Sequence, residues 1–254
     1  MSKTSKNKQP KIAIIPARGG SKSIPRKNLQ NLVGVPLIAY SIDSAIRSDL
    51  VDEVYVSTDD AEIAEISRSY GAKVIIRPDS MASDTSRDNE LLSHAIEHVF
   101  SELNEDSLFI FLRPSHPLRN PVTINKAIII FSENYQYDSL RSMKLSTEIP
   151  YKMWAINNDG SAIPVVESTH TGVTDPSNAP RQLLPQTYYQ DGYIEVFPFK
   201  TITKFGNTAG KKILPFIINE FSHDIDTYHD LELINNKLEN FSWPLWFKIP
   251  NQVL

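Results

Sequence analysis

The 254-residue chain contains no cysteine. That excludes disulfides, thiolate zinc centres and cysteine nucleophiles, and it suits a reducing compartment such as the cytoplasm, the location expected here. A strong charge of either sign is also missing. With 26 basic residues against 30 acidic ones the net charge is -4, and no basic stripe runs through the chain, so nucleic acid is not expected as a partner. No apolar run is long enough to span a bilayer, and no membrane partner is expected. Residues 1–10 are polar and lysine-rich without the apolar centre of a signal peptide, and read as a disordered tail. Internal repeats are absent. What remains is 41% hydrophobic, enough to bury one large domain over 11–254, or a domain with an excursion.

Strand-like and helix-like segments alternate through the first half, the pattern of a mostly parallel sheet with helices on its faces. Strands are expected at 12–15, 53–57, 73–76 and 108–112, and helices at 36–47, 61–70, 88–100 and 122–131. The first helix carries Ile38, Ile42, Ala45 and Ile46 on one face. The wholly apolar run 108–112 reads as a central strand covered on both sides. Helical periodicity then fades from about 141 to 190, where Pro, Asn, Ser and Thr are frequent. A wandering segment of that length in a compact domain is usually functional or an interface. Strands at 193–197 and 213–218 and a helix at 228–238 close the chain.

The most informative stretch is residues 11–29, KIAIIPARGGSKSIPRKNL. An apolar strand runs into a Gly-rich, basic turn holding Arg18, Gly19, Gly20, Ser21, Lys22, Arg26 and Lys27. Such a turn offers backbone N–H groups and cations suited to a polyphosphate. In open α/β sheets ligands sit at the carboxyl ends of the strands. The residues following the strands should therefore gather on one rim: 18–27, Thr58-Asp59, Arg77, 113–116 and Asp224-Asp226.

Three further constellations are less specific alone. Arg77-Pro78 followed by Met81 to Thr85 reads as a loop over a nucleoside, with Arg77 and Ser83 on the base edge, or as a helix cap. In His223-Asp224-Ile225-Asp226-Thr227, alternation points both aspartates to one side. Two adjacent carboxylates repel unless a cation sits between them, and hard oxygens suit Mg²⁺; the alternative is one capping aspartate and one solvated. The segment 179–186, with Arg181, Gln182 and Gln186, suits a carboxylate and sugar hydroxyls, or is a return limb. His94 and His98 have i,i+4 spacing without a third ligand, so a surface pair is expected there, not zinc.

Taken in order, these segments resemble the acylneuraminate cytidylyltransferases, the CMP-sialic acid synthetase family, over nearly the whole chain to about residue 238. The resemblance is carried by Arg18-x-x-Ser21-Lys22 with Pro25-x-Lys27-Asn28-Leu29, Val56-Ser57-Thr58-Asp59, Arg77-Pro78 through Ala82-Ser83-Asp84-Thr85, Pro114-x-x-Pro117-Leu118-Arg119, Pro180-Arg181-Gln182 with Leu184-Pro185-Gln186, and Asp224-Ile225-Asp226-Thr227. It implies a Rossmann-like, GT-A-like nucleotidyltransferase sheet and a homodimer formed largely by the arm 141–190. It implies a reaction in which CTP and a 2-keto-3-deoxy nonulosonic acid give a CMP-sugar and pyrophosphate, with Mg²⁺. Arg18, Gly19, Gly20, Ser21 and Lys27 would hold the triphosphate, and Asn28, Arg77 and Ser83 the cytosine and ribose. Asp224 and Asp226 would hold the metal, with Asp224 as base. The catalytic set would be Arg18, Lys27 and Asp224. The sugar would meet Arg113, Ser115, Lys152, Arg181, Gln186 and Asp191.

Two positions depart from the family pattern. Arg113 stands where Gln is common, and Asp191 where Asn is common before Gly. An unpaired buried charge costs several kcal/mol, so the sugar is expected to complement both charges. That favours a legionaminic-like or amino-bearing acid over plain N-acetylneuraminic acid. The rivals are activation of an eight-carbon 3-deoxy-manno-octulosonate, and a nucleotide-binding module without turnover.

Overall fold

The computed structural model describes residues 9–21, 23–78, 92, 94, 95, 104–240 and 249–251. Outside these lie residues 1–8 of the expected tail, Lys22, Ser83 with its loop, His98 and most of the expected helix 88–100.

The elements run in chain order as β1 (Lys11–Pro16), β2 (Asn31–Leu32), β3 (Val35–Pro36), α1 (Leu37–Ile46), β4 (Glu53–Thr58), α2 (Ala61–Ser69) and β5 (Lys73–Ile76). Then follow β6 (Leu108–Phe111), α3 (Pro121–Ser132), β7 (Ser139–Leu145), β8 (Trp154–Ile156) and β9 (Ala162–Pro164). The chain closes with β10 (Tyr188–Pro198), α4 (Phe199–Phe205), β11 (Ile213–Ile217) and α5 (Tyr228–Asn240).

Seven strands form one sheet in the order β11-β7-β10-β6-β1-β4-β5. β1 pairs in parallel with β4 on one side and β6 on the other, β5 continues in parallel from β4, and β10 runs antiparallel to β6. The mostly parallel sheet is thus as the alternating pattern predicts. Apolar runs explain it: Ile12 to Ile15 and Leu108 to Phe111 are buried on both faces, as central parallel strands require. Ile12 and Ile14 pack with Phe109, Phe111, Phe197, Leu92 and Ala95. His94 beside them is buried, not at the surface. Ile46, counted on the buried face of α1, is 47% exposed.

Side-chain caps define the starts of α2 and α3. Asp60 accepts from the amides of Glu62 and Ile63 at the head of α2. Asn120 accepts from Val122, with Pro121 beginning α3. Both satisfy N–H groups that a helix start leaves without partners. The β2–β3 hairpin, too short to read from periodicity, turns through Val33 at φ 50° and Gly34 at φ 78°. A β-branched residue there is strained, and the Val33 N–H is fixed by Asn235 of α5 at 2.8 Å.

The chain divides into two units. The larger comprises residues 1–142, 192–216 and 220–254; the smaller comprises 143–191 and 217–219. The smaller unit has a modest core of Tyr151, Ala179 and Leu184 flanked by Ile149, Val166 and Val173. Its β8–β9 hairpin pairs Trp154 with Pro164, Ala155 with Ile163 and Ile156 with Ala162. No helix among the described residues is long and apolar enough to cross a membrane.

Candidate active site

Strand register places the rim. Pro16 lies level with Ser57, Thr58 with Ile76, and Ile14 with Phe111. The ladder runs on beyond the strands: Ala17 N–H to Ser57 O at 2.9 Å, Arg77 N–H to Thr58 O at 2.8 Å, and Leu112 N–H to Ile14 O at 3.0 Å. The loops after β1, β4, β5 and β6 therefore leave the sheet side by side, at the edge where α/β sheets bind ligands.

The acidic segment 224–226 joins this rim through one buried residue. Ile225 is fully buried in a cluster with Ile24, Leu32, Leu37, Tyr40, Leu118, Ile234 and Leu238. Its N–H bonds to Ser115 O at 2.9 Å. Ile24 belongs to the basic loop, so the same apolar cluster anchors both the cations and the acids. The result is direct contact: Lys27 Nζ donates to Ile225 O at 2.9 Å and to Asp226 Oδ1 at 3.0 Å, across 199 residues of chain.

Around Asp224 the polar groups are close. Ser115 donates its hydroxyl to the carboxylate, and His116 Nε2 lies 3.8 Å from Asp224 Oδ1. Burial raises the Asp224 carboxyl above the usual range and the neighbouring Asp226 pushes the same way, while the Ser115 hydrogen bond, Lys27 and Arg113 pull it down. Asp230 locks this segment from the first turn of α5. It accepts from the N–H groups of Asp226 and Thr227 and the Thr227 hydroxyl, and meets His223 Nε2 at 2.8 Å. Burial opposes ionisation of Asp230, but the hydrogen bonds from Thr227, His223 and Asp226 outweigh it and hold the carboxyl well below the usual range.

Within the basic loop several expected contact residues also hold the loop together. The Gly19 N–H donates to Asp59 Oδ1 at 3.1 Å, so that amide is engaged within the protein. A Cβ on Gly19 would lie 2.8 Å from Asp60 Oδ2, whereas one on Gly20 would meet nothing within 4 Å. Gly19 is thus required by close packing, and the space beside Gly20 is open. Asn28 is buried and donates to Arg18 O at 3.0 Å. Arg77 is likewise buried, donating to Ser57 O at 3.1 Å with Asp59 Oδ1 3.9 Å away. Arg26 pairs with Asp60 and Glu62 at the head of α2.

The loop after β6 is set by Arg119, fully buried. It donates to Tyr193 O at 2.7 Å, Ser41 Oγ at 2.9 Å and Arg113 O at 2.9 Å. Arg113 has a partner within the protein that its place in the sequence does not announce. Glu195 of β10, 2% exposed, meets Arg113 at 3.2 Å and Arg141 at 3.1 Å. Gly192, at φ 74°, passes close by: a Cβ there would lie 3.3 Å from Arg113 Cδ and 3.5 Å from His116 Nε2.

Lys152, Arg181, Gln186 and Asp191 belong to the smaller unit. Lys152 and Gln186 are exposed and Asp191 is buried. Gln186 accepts the Tyr188 hydroxyl at 2.9 Å. Arg181 donates to Ser146 O and Thr147 O at 3.3 and 2.6 Å, so part of its fork holds the arm's own backbone. Sequence reasoning missed Ile24, Glu195 and Asp230. Only Glu195 left a signal, a lone acid within an apolar strand, since buried charges are paired.

Two carboxylates near enough for Asp226 to raise the Asp224 carboxyl fit a hard cation that completes its shell with phosphate oxygens, as Mg²⁺ does. The upward push of Asp226 on Asp224 is the repulsion such an ion would relieve. Among the described residues no set of three or more His, Cys, Asp or Glu converges as a metal centre, so most of the shell would have to come from elsewhere.

A mostly parallel sheet with a glycine-rich cationic loop and an acidic pair on one rim defines an α/β protein of the nucleotidyltransferase fold. The solved structure of CMP:2-keto-3-deoxy-manno-octonic acid synthetase has the same fold, with a TM-score of 0.68 and 18% identity over 91% of this chain and 98% of that one. The cytidylyltransferase family model matches residues 12–156, and the chain belongs to that family. N-acylneuraminate cytidylyltransferase of Escherichia coli O18:K1:H7 is 29% identical over 246 residues, 95% of this chain and 56% of that protein. CMP-N,N'-diacetyllegionaminic acid synthase of Legionella pneumophila is 40% identical over 123 residues, 47% of this chain and 52% of that protein. The chain spans about half the length of these curated relatives.

Proposed function

We propose that the protein activates a nonulosonic acid: CTP and the sugar acid give the CMP-sugar and pyrophosphate. The anomeric hydroxyl attacks the α-phosphorus, the bond to the β-phosphate oxygen breaks in line, and the hydroxyl proton leaves to a base. The observation that carries this reading is the contact of Lys27 with Asp226 at 3.0 Å, which joins the basic loop to the acidic segment. Such transfers are catalysed mainly by positioning and charge neutralisation.

In this reading Arg18, Lys27 and the amides of Gly20 and Ser21 hold the triphosphate and stabilise the departing pyrophosphate. Asp224 and Asp226 hold Mg²⁺, which when bound neutralises triphosphate charge. Asp224, oriented by Ser115, takes the anomeric proton. Arg77 and Asn28 act by fixing the loop edges that the base and ribose meet, with Ser83 on the base edge. Arg113, Ser115, Lys152, Arg181, Gln186 and Asp191 serve the sugar.

The relatives' names support a nonulosonic substrate, and the 40% identity over about half of the chain both to a legionaminic acid synthase and to a pseudaminic acid cytidylyltransferase favours a modified, legionaminic-like acid over plain N-acetylneuraminic acid. The reading includes a homodimer through 141–190 and a cytoplasmic location, where nucleoside triphosphates are available. Exposure in the arm supports the dimer: Trp154, Ile156, Ile163 and Val165 are about half exposed or more, an apolar concentration that marks interfaces. Pyrophosphate release with CTP, Mg²⁺ and a panel of eight- and nine-carbon keto acids tests the function. Turnover of a nine-carbon acid is expected. Exclusive use of the eight-carbon acid, or CTP binding with no release, would reject it.

A further inference from the structure

Arg26, which immediately precedes Lys27, holds a backbone conformation unfavourable to its side chain. Its φ of 53° and ψ of 40° lie in the left-handed region, where a Cβ crowds the following carbonyl oxygen. Among the described residues two other non-glycine positions have positive φ, Val33 and Asp175; neither belongs to the loop 18–27. The bend is fixed on both sides. Pro25 O accepts from Gln30 Nε2 at 2.8 Å, and Arg26 O accepts from the Leu29 N–H at 2.9 Å, closing the short 3-10 turn Lys27–Leu29. The Arg26 side chain supplies a third hold. Its Nη2 donates to both Asp60 oxygens at 3.0 and 2.9 Å, and Nη1 meets Glu62 at 2.8 Å. Asp60 is itself immobilised as the cap of α2, accepting from the amides of Glu62 and Ile63, so the pair loses little side-chain freedom on forming.

We propose that Arg26 is a positioning residue: clamped to the head of α2, it keeps the left-handed bend that aims Lys27 at the departing pyrophosphate. The inference rests on the cytidylyltransferase reading above. Both terminal nitrogens of Arg26 are engaged by carboxylates, so its fork serves the loop and not the nucleotide. The next residue, Lys27, is the one whose ammonium reaches Ile225 O and Asp226 Oδ1 at 2.9 and 3.0 Å. If Arg26 leaves the left-handed region the chain changes direction there, and Lys27 moves with it. Such strain persists where the surrounding structure over-determines it, and a misplacement of about 1 Å at a group that stabilises charge is costly to rate. The glycine-rich half of the same loop is held by the adjacent acid, with Gly19 N–H donating to Asp59 Oδ1 at 3.1 Å. Successive carboxylates at one helix head therefore fix both limbs of the loop.

The test is steady-state pyrophosphate release by the full chain with CTP, Mg²⁺ and a nine-carbon keto acid, read as kcat. Glycine adopts the left-handed region freely, so Arg26→Gly keeps the bend without the ion pair. Arg26→Ala loses the pair and keeps the steric penalty. Arg26→Ala is expected to lower kcat about tenfold, and Arg26→Gly to restore it to within about twofold of wild type. On a Lys27→Met background Arg26→Ala is expected to change kcat by no more than about twofold, because the residue it aims is gone. Asp60→Asn retains the cap, since Asn caps as well as Asp, and removes the charge. Its kcat should fall about threefold, and should fall no further when Arg26 is already Gly. That comparison decides the matter if Arg26→Ala fails to fold. Equal losses in the Ala and Gly variants would give Arg26 a charge-bearing role of its own and overturn the inference. Wild-type kcat in Arg26→Ala, an undiminished effect without Lys27, or a full Asp60→Asn loss in the Gly variant would overturn it likewise. Wild type that releases no pyrophosphate overturns the cytidylyltransferase reading, and this inference with it.

Discussion

Lys27 distinguishes a structural ion pair from a chemical one. Its partner Asp226 is 68% exposed, and an exposed pair contributes roughly 0–1 kcal/mol to stability. A cation beside departing pyrophosphate is worth far more, about 10²–10³ in rate. Lys27→Met should therefore leave the melting temperature within a few degrees while pyrophosphate release falls by that factor; equal losses in both would contradict the role. Asp230 has the opposite character. It touches no reacting group in the proposed mechanism, yet it holds the segment carrying Asp224 and Asp226. Asp230→Asn should cost about 1–2 kcal/mol, as loss of a helix cap does. Because the folded-state carboxyl lies below its ordinary value of 3.8, its contribution is full above that value and fades as pH falls through the folded value. The stability gap between the two proteins in urea titrations should hold above about pH 3.8 and narrow progressively as the pH falls below it; a constant gap would refute the linkage. Gly192→Ala would place a Cβ in the left-handed region, costing about 1–2 kcal/mol. It should also raise KM for the sugar acid by displacing Arg113.

At the scale of elements, one apolar cluster brings the site together. Ile24 and Ile225 are both fully buried there, and cutting Ile225 to Ala should cost about 2–5 kcal/mol. Denaturant unfolding checks that figure, and CTP affinity should drop in parallel because a loosened anchor at residue 225 lets the backbone carbonyl that holds Lys27 shift. The parallel strands were legible because runs such as 12–15 and 108–112 are apolar without interruption. Carboxyl-end placement then follows from topology, and it groups the loops after β1, β4, β5 and β6 from sequence alone. The contacts inside that rim were not legible. Asn28 and Arg77 were read as facing a nucleotide, yet they bond to Arg18 O and Ser57 O; residue type alone cannot say whether a donor serves a ligand or a loop. Arg113 was read as an uncompensated charge because its partner lies 82 residues later on an antiparallel strand. The β2–β3 hairpin has two residues per strand, too few for any period to register.

For the whole molecule, the arm leaves a group of large apolar side chains at its surface. Cross-strand partners share a face, so Trp154 and Ile156 point one way from the β8–β9 hairpin and Ile163 the other. All three are exposed, which a single contact with the arm's own small core would not explain. Sedimentation velocity should give a dimer for the wild type and a monomer for Ile156→Asp. A wild-type monomer at micromolar concentration would remove the arm's proposed role.

The central claim is that a basic loop and an acidic pair, brought together by Ile24 and Ile225, flank one triphosphate. A crystal structure with CTP and Mg²⁺ tests it most directly. The account predicts the β- and γ-phosphates against Gly20, Ser21 and Lys27, and the α-phosphate on the side of Asp224 and Asp226. Nucleotide bound away from Lys27, or phosphates pointing away from the acidic pair, would contradict it.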